Sequence, residues 1–169
     1  MKKRIVQVPS ANTNTNTNTS MQLSALLIEA KRIFHLDLTW TQHGPRHWLQ
    51  VEKNAIMLGE HTPGCDMEVA RHFALLHDCR RENEGSDPEH GARAAEFAQE
   101  LADRGMLGLD PGQLATLKYA MTHHNGGQVS DDPTIGVCWD ADRLDLPRVG
   151  TTPEINLMST RFARKLMRP

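Results

Sequence analysis

The chain is poor in the features that would fix its class quickly. It has three cysteines, Cys65, Cys79 and Cys138, far apart and without a C-x-x-C spacing. That usage argues against a disulfide framework and suits three free thiols in a reducing cytoplasm. No apolar run approaches the ~20 residues a membrane helix needs, so no membrane partner is expected. Met1 to Arg4 are basic, but a proline and a polar run follow where a secretory signal needs an apolar stretch. Charge of one sign is also missing: the net value is -2 with both signs interleaved, which leaves no footprint for a nucleic-acid polymer. Strand-like alternation is weak throughout.

What the chain does have is helical period and histidine. Its 169 residues are one domain's length. Residues 11–20 read ANTNTNTNTS and offer nothing to bury, so residues 1–20 are expected to be a disordered leader and residues 21–169 a single domain. The N-x-T triplets there match glycan acceptors, which a cytoplasmic chain would not use.

From Met21 the apolar spacing predicts a helix through Leu23, Leu26, Leu27 and Ala30 to about His35. Pro45 suits the first position of a second helix with Trp48, Val51, Ala55 and Leu58 inward, and Asp66 can cap a third that leads through Ala70, Phe73 and Ala74 to His77 and Asp78. Asp87-Pro88, Asp110-Pro111 and Asp132-Pro133 each announce a further helix, and Asn125-Gly126-Gly127 ends one of them. The helix after Pro133 is apolar nearly all round and is expected to be central. A last helix is expected over 153–167. The fold class is all-α.

Histidines and aspartates interrupt the inward stripes. His47 lies four residues before Val51, His90 four before Ala94, His124 three after Met121 with His123 beside it, and Asp142 four after Cys138. Imidazole nitrogen and carboxylate oxygen are the donors a divalent cation takes, and burying several of them without a cation is costly. A metal site is therefore expected, with His77 and Asp78 meeting one ion only in the angle between them and His47 and Asp142 as the best-placed further donors. Asp140 points about 200° from Asp142 and should not share the ion, whereas Asp145, one turn on, is a reserve donor. His35, His61 and His72 read as surface or packing residues.

The order His47, His77-Asp78, Asp142 resembles the H…HD…D signature of the HD superfamily of metal-dependent phosphohydrolases. HWLQV is similar to that family's first helix motif, ALLHD to its central element and WDADRLD to its A-D-R-L segment. The likeness spans about residues 39–150 and lacks the glycine-tyrosine-proline signature of the HD-GYP phosphodiesterases. It implies an HD-domain-like helical bundle and a divalent metal (Mn, Mg, Fe, Co, Ni or Zn) on His47, His77, Asp78 and Asp142. It also implies hydrolysis of a nucleotide or other small phosphorylated compound by a metal-activated water. Asp78 would orient that water and bridge a second ion where one exists.

Around that core, Arg80 and Arg81 are candidates for phosphate binding and Glu82 for orienting water. His90, His123 and His124 are candidates for a second metal or for substrate, and His43 for supporting a ligand or touching substrate. A single ion is expected, because His90 begins its helix, where the positive dipole end suits an anion. Arg143 reads as structural. Two alternatives remain open: an HD-fold di-iron oxygenase, and a regulatory module that binds metal or nucleotide without turnover.

Overall fold

A computed structural model describes residues 13–168; its helices are α1 (Thr13–Ile33), α2 (Pro45–Glu60), α3 (Met67–Leu76), α4 (His90–Asp103), α5 (Pro111–His123), α6 (Pro133–Arg143) and α7 (Arg161–Leu166). Single 3-10 turns cover Leu146–Val149 and Ile155–Leu157, and no strand occurs among the described residues. The all-α expectation is met. No helix is long and apolar enough to cross a membrane.

The inward stripes are where the spacing put them. Leu23, Leu26 and Ala30 of α1 are buried, as are Trp48, Val51, Ala55 and Leu58 of α2, Ala94, Phe97 and Leu101 of α4, and Leu117 and Met121 of α5. The central helix is a correction. It is α3, which packs against α1, α2, α5 and α6; α6 meets α2, α3 and α5. MEVARHFALL buries every residue from Val69 to Leu76 except Arg71, so α3 can accept neighbours on nearly all sides. Two buried side-chain bonds tie α6 to its neighbours: Asn54 Nδ2 donates to the Ala141 carbonyl at 2.9 Å and Trp139 Nε1 to the Ala120 carbonyl at 2.9 Å.

Helix starts follow the capping chemistry in most places. Asp66, Asp110 and Asp132 each accept two backbone amides of the first turn, and Gln113 returns a bond to the Asp110 amide. Asp87 departs from this pattern. The helix begins at His90 behind Glu89, which makes no side-chain cap, and the Asp87 carboxylate instead takes the Glu82 amide and the Arg93 guanidinium. The expected helix over 153–167 is broken. Asp140 accepts the amides of Ser159 and Thr160 at 2.7 Å each, and Thr160 then caps the short α7.

At the other end, α1 starts at Thr13, so it takes in residues 13–20 of the expected leader as helical backbone. Extending a nucleated helix costs far less than starting one, so the amphipathic turns after Met21 can carry the backbone into a polar run. Residues 1–12, the rest of the expected leader, lie outside the described residues. All three cysteines are free, Cys79 and Cys138 buried and Cys65 half-buried.

Candidate metal centre

Every sequence-predicted ligand sits at a helix end. His47 is in the first turn of α2, His77 caps the C-terminus of α3, Asp78 is the next residue, His90 opens α4, His124 caps α5 and Asp142 lies in the last turn of α6. Helix ends carry backbone groups without intrahelical partners, and these set the imidazoles. His77 Nδ1 lies 3.2 Å from the carbonyls of Phe73 and Ala74, and His124 Nδ1 lies 2.6 Å from that of Met121. His90 Nδ1 meets the Asp87 carbonyl, and His47 Nδ1 the Asp145 carboxylate at 2.8 Å.

These partners decide the tautomers. Carbonyl and carboxylate oxygens only accept, so each of the four Nδ1 atoms carries a proton, and Nε2 is the nitrogen left for a cation or a second proton. These Nε2 atoms point at one another: His47 Nε2 is 3.1 Å from His77 Nε2, and His90 Nε2 is 2.8 Å from His124 Nε2. Facing lone pairs repel in a buried place unless a cation or proton lies between them.

Two carboxylates complete the cluster. Asp142 Oδ1 is 3.2 Å from His47 Nε2 and 3.6 Å from His77 Nε2, and Asp78 Oδ2 is 3.6 and 3.8 Å from the same atoms. Donors bound at ~2.1 Å to one ion stand roughly 3.0–3.4 Å apart, the range in which these separations begin. On the other side, Asp78 Oδ1 is 3.0 Å from His90 Nε2 and 3.7 Å from His124 Nε2, and this buried oxygen accepts no hydrogen bond. The donor atoms therefore fall into overlapping groups, His47-His77-Asp78, His77-His124-Asp142 and Asp78-His90-His124. The residues fit one or two divalent ions, with Asp78 facing both halves.

The electrostatics ask for the same thing. Burial pushes the Asp78 carboxyl up, but His77, His124, His43 and His90 around it outweigh that and hold it well below the usual carboxylate range. Burial likewise opposes, and His47 and His77 overcome, the ionisation of Asp142. Burial pulls His47 down while Asp142 and Asp145 hold it up at about 9. Two ionised carboxylates in a buried pocket draw cations to its centre. Because Asp145 fixes the ring that carries one of the donors, Asp145→Ala is expected to weaken metal binding by ~10–100-fold without removing a ligand. Titration with Mn²⁺ checks it, and unchanged affinity would sink that role.

Asp78, Asp142, His90 and His124 floor a cavity of about 310 Å³ whose walls include His43, Arg81, Arg143, Arg148, Asn125 and Leu146. His43 Nδ1 lies 3.2 Å from Asp78 Oδ2, so it adjoins a ligand and also reaches the cavity. Arg81 Nη1 lies 3.7 Å from Asp78 Oδ1 while Nη2 donates to the Gly85 carbonyl. Arg143 donates to the carbonyls of Leu157 and Gln128, the structural pairing expected of it.

Four further candidates are placed outside the group of converging donors. Arg80 and Glu82 do not line the cavity. The chain leaves α3 in a turn over 77–80, which carries them outward, and the Glu82 side chain is 61% exposed beside Arg93. His123 lies tilted against Tyr119, ring centres 4.5 Å apart, and belongs to none of the donor groups. Asp145 supports His47 instead of standing in reserve as a ligand.

Sequence reasoning missed Arg148, whose guanidinium bonds the Gln42 carbonyl and lies 3.3 Å from His43 Nδ1. It also missed Gly91 and the Asp87–Arg93 pair, although a glycine directly after a candidate ligand was a readable signal of close approach. Among the remaining histidines, His72 is a buried packing residue bonded to the carbonyls of Glu68 and Leu107, and His61 lies exposed, flat against Phe162. No protein-family model, curated protein or solved structure matches this chain.

Proposed function

We propose that the protein is a metal-dependent phosphohydrolase of the HD type acting on a small phosphorylated compound such as a nucleotide, and that His47, His77, Asp78, Asp142, His90 and His124 would hold two divalent ions. The observation that carries this reading is the convergence of four imidazoles and two carboxylates, of which Asp78, Asp142, His90 and His124 reach a cavity walled by three arginines. When bound, the ions would lower the pKa of a water and polarise a phosphoryl oxygen. The chain's own residues do the rest. Arg81 and Arg148 offer guanidinium charge to the phosphate, Asp78 and Asp142 hold the negative charge that retains the ions, and His43 stands beside Asp78 at the cavity wall. A space of about 310 Å³ is at the small end of ligand sites, which suits a compact phosphate ester and not a polymer.

The test is phosphate release from a panel of nucleotides and small phosphomonoesters, with Mn²⁺, Mg²⁺, Fe²⁺, Co²⁺, Ni²⁺ and Zn²⁺ in turn. Turnover that disappears in Asp142→Ala is expected, and a metal-loaded protein that releases no phosphate from any of them overturns the reading. Four imidazoles also suit a pair of irons, which favours O₂-dependent oxidation as the second reading. Substrate-dependent O₂ consumption by the iron form would select it.

A further inference from the structure

We infer that Asp87 and Arg93 form a positioning device for His90, and through it for the Asp78-His90-His124 half of the metal centre. The inference rests on the reading of that cluster as a metal centre. Neither residue lines the cavity above the cluster, so neither touches a substrate there.

The Asp87 side chain is buried at the foot of the segment between α3 and α4. Arg93, on the first turn of α4, places Nη2 2.7 Å from both carboxylate oxygens of Asp87. The same guanidinium donates to the Arg80 carbonyl through Nε at 3.2 Å and Nη2 at 3.1 Å, and the Asp87 carboxylate accepts the Glu82 amide at 2.9 Å. These bonds tie residues 80–87 to α4. Asn125 Nδ2 adds a bond to the Pro88 carbonyl from the end of α5.

The fixed segment then sets the ligand. The Asp87 carbonyl accepts the His90 Nδ1 proton, and that bond fixes both tautomer and ring plane, leaving Nε2 3.0 Å from Asp78 Oδ1 and 2.8 Å from His124 Nε2. Outer partners that orient a ligating imidazole in this way typically command a 10- to 100-fold change in metal affinity. Asp87 supplies the carbonyl through its backbone, and its side chain decides where that carbonyl stands. The other half of the centre, His47-His77-Asp142, is supported by Asp145 and the α3 carbonyls, and it shares no bond with Asp87 or Arg93.

Mn²⁺ titration of the metal-free full chain separates this from a general structural role, with circular dichroism confirming that each variant is folded. Wild type is expected to bind two ions. Asp87→Ala should bind one with wild-type affinity and the other ~10–100-fold more weakly. Asp87→Asn, which still accepts from the Glu82 amide, should fall between. Should Asp87→Ala not fold, Arg93→Lys carries the same test with the same expected split. Two ions at wild-type affinity in either folded variant, or equal weakening of both, overturns the positioning role. A wild-type protein that binds no ion overturns the metal reading itself and is distinguished by that control.

Discussion

Asp78→Ala is expected to empty the whole centre, taking bound metal from about two ions per chain to near none and abolishing turnover. Its carboxylate serves both halves: Oδ2 faces His47 and His77 while Oδ1 faces His90 and His124. Each half would lose a direct ligand, a larger loss than the ~10–100-fold that outer partners command. His47→Ala, by contrast, removes a donor from the Asp142 side alone and should spare the ion beside His90. Metal analysis of the purified variants checks both. Near-stoichiometric metal in Asp78→Ala would end the bridging role.

Gly91→Ala should strike the fold and the centre together. A β-carbon on Gly91 would stand 2.2 Å from the Met121 carbonyl oxygen and 3.2 Å from the Cε1 and Nδ1 atoms of His124. The first of these neighbours is backbone, so α4 and α5 must separate. The same Met121 carbonyl orients His124 through Nδ1, so the separation also turns a ligand. Overpacking of this kind costs about 1–3 kcal/mol, occasionally more, which for a chain of this length lowers Tm by about 6–12 °C at the upper end. The expected result is that fall in a thermal melt together with weakened binding of the ion beside His90. A melt and a titration both like wild type would show that the helices absorb the methyl group freely.

Most of the fold was legible because its signals are local. Leu23, Trp48, Val51, Ala94 and Leu117 declare their faces by spacing alone, and Asp110 and Asp132 declare helix starts by the proline that follows. Asp87 carries the same dipeptide and does something else, because Arg93 and the Glu82 amide compete for its carboxylate once the chain has turned. The break before α7 was illegible for a similar reason: it is made by Asp140, nineteen residues away from Ser159.

At the site, His47, His77, Asp78 and Asp142 were readable as donors on inward stripes, and they converge. Which of the further candidates join them depends on turns that spacing does not reveal. The chain leaves α3 at His77, so Arg80 and Glu82 swing away while Arg81 stays. The sequence favoured a single ion because the start of a helix attracts anions. In the folded chain the His90 ring donates back to the Asp87 carbonyl and turns its bare nitrogen on Asp78. That reversal underlies the two-ion proposal.

Anomalous diffraction from crystals of the full chain loaded with Mn²⁺ would locate the ions themselves. Two peaks ~4 Å apart are expected on either side of the Asp78 carboxylate, one against His47, His77 and Asp142 and one against His90 and His124. A single peak on the Asp142 side would contradict the two-ion centre, and no peak within reach of Asp78 would contradict the metal centre altogether.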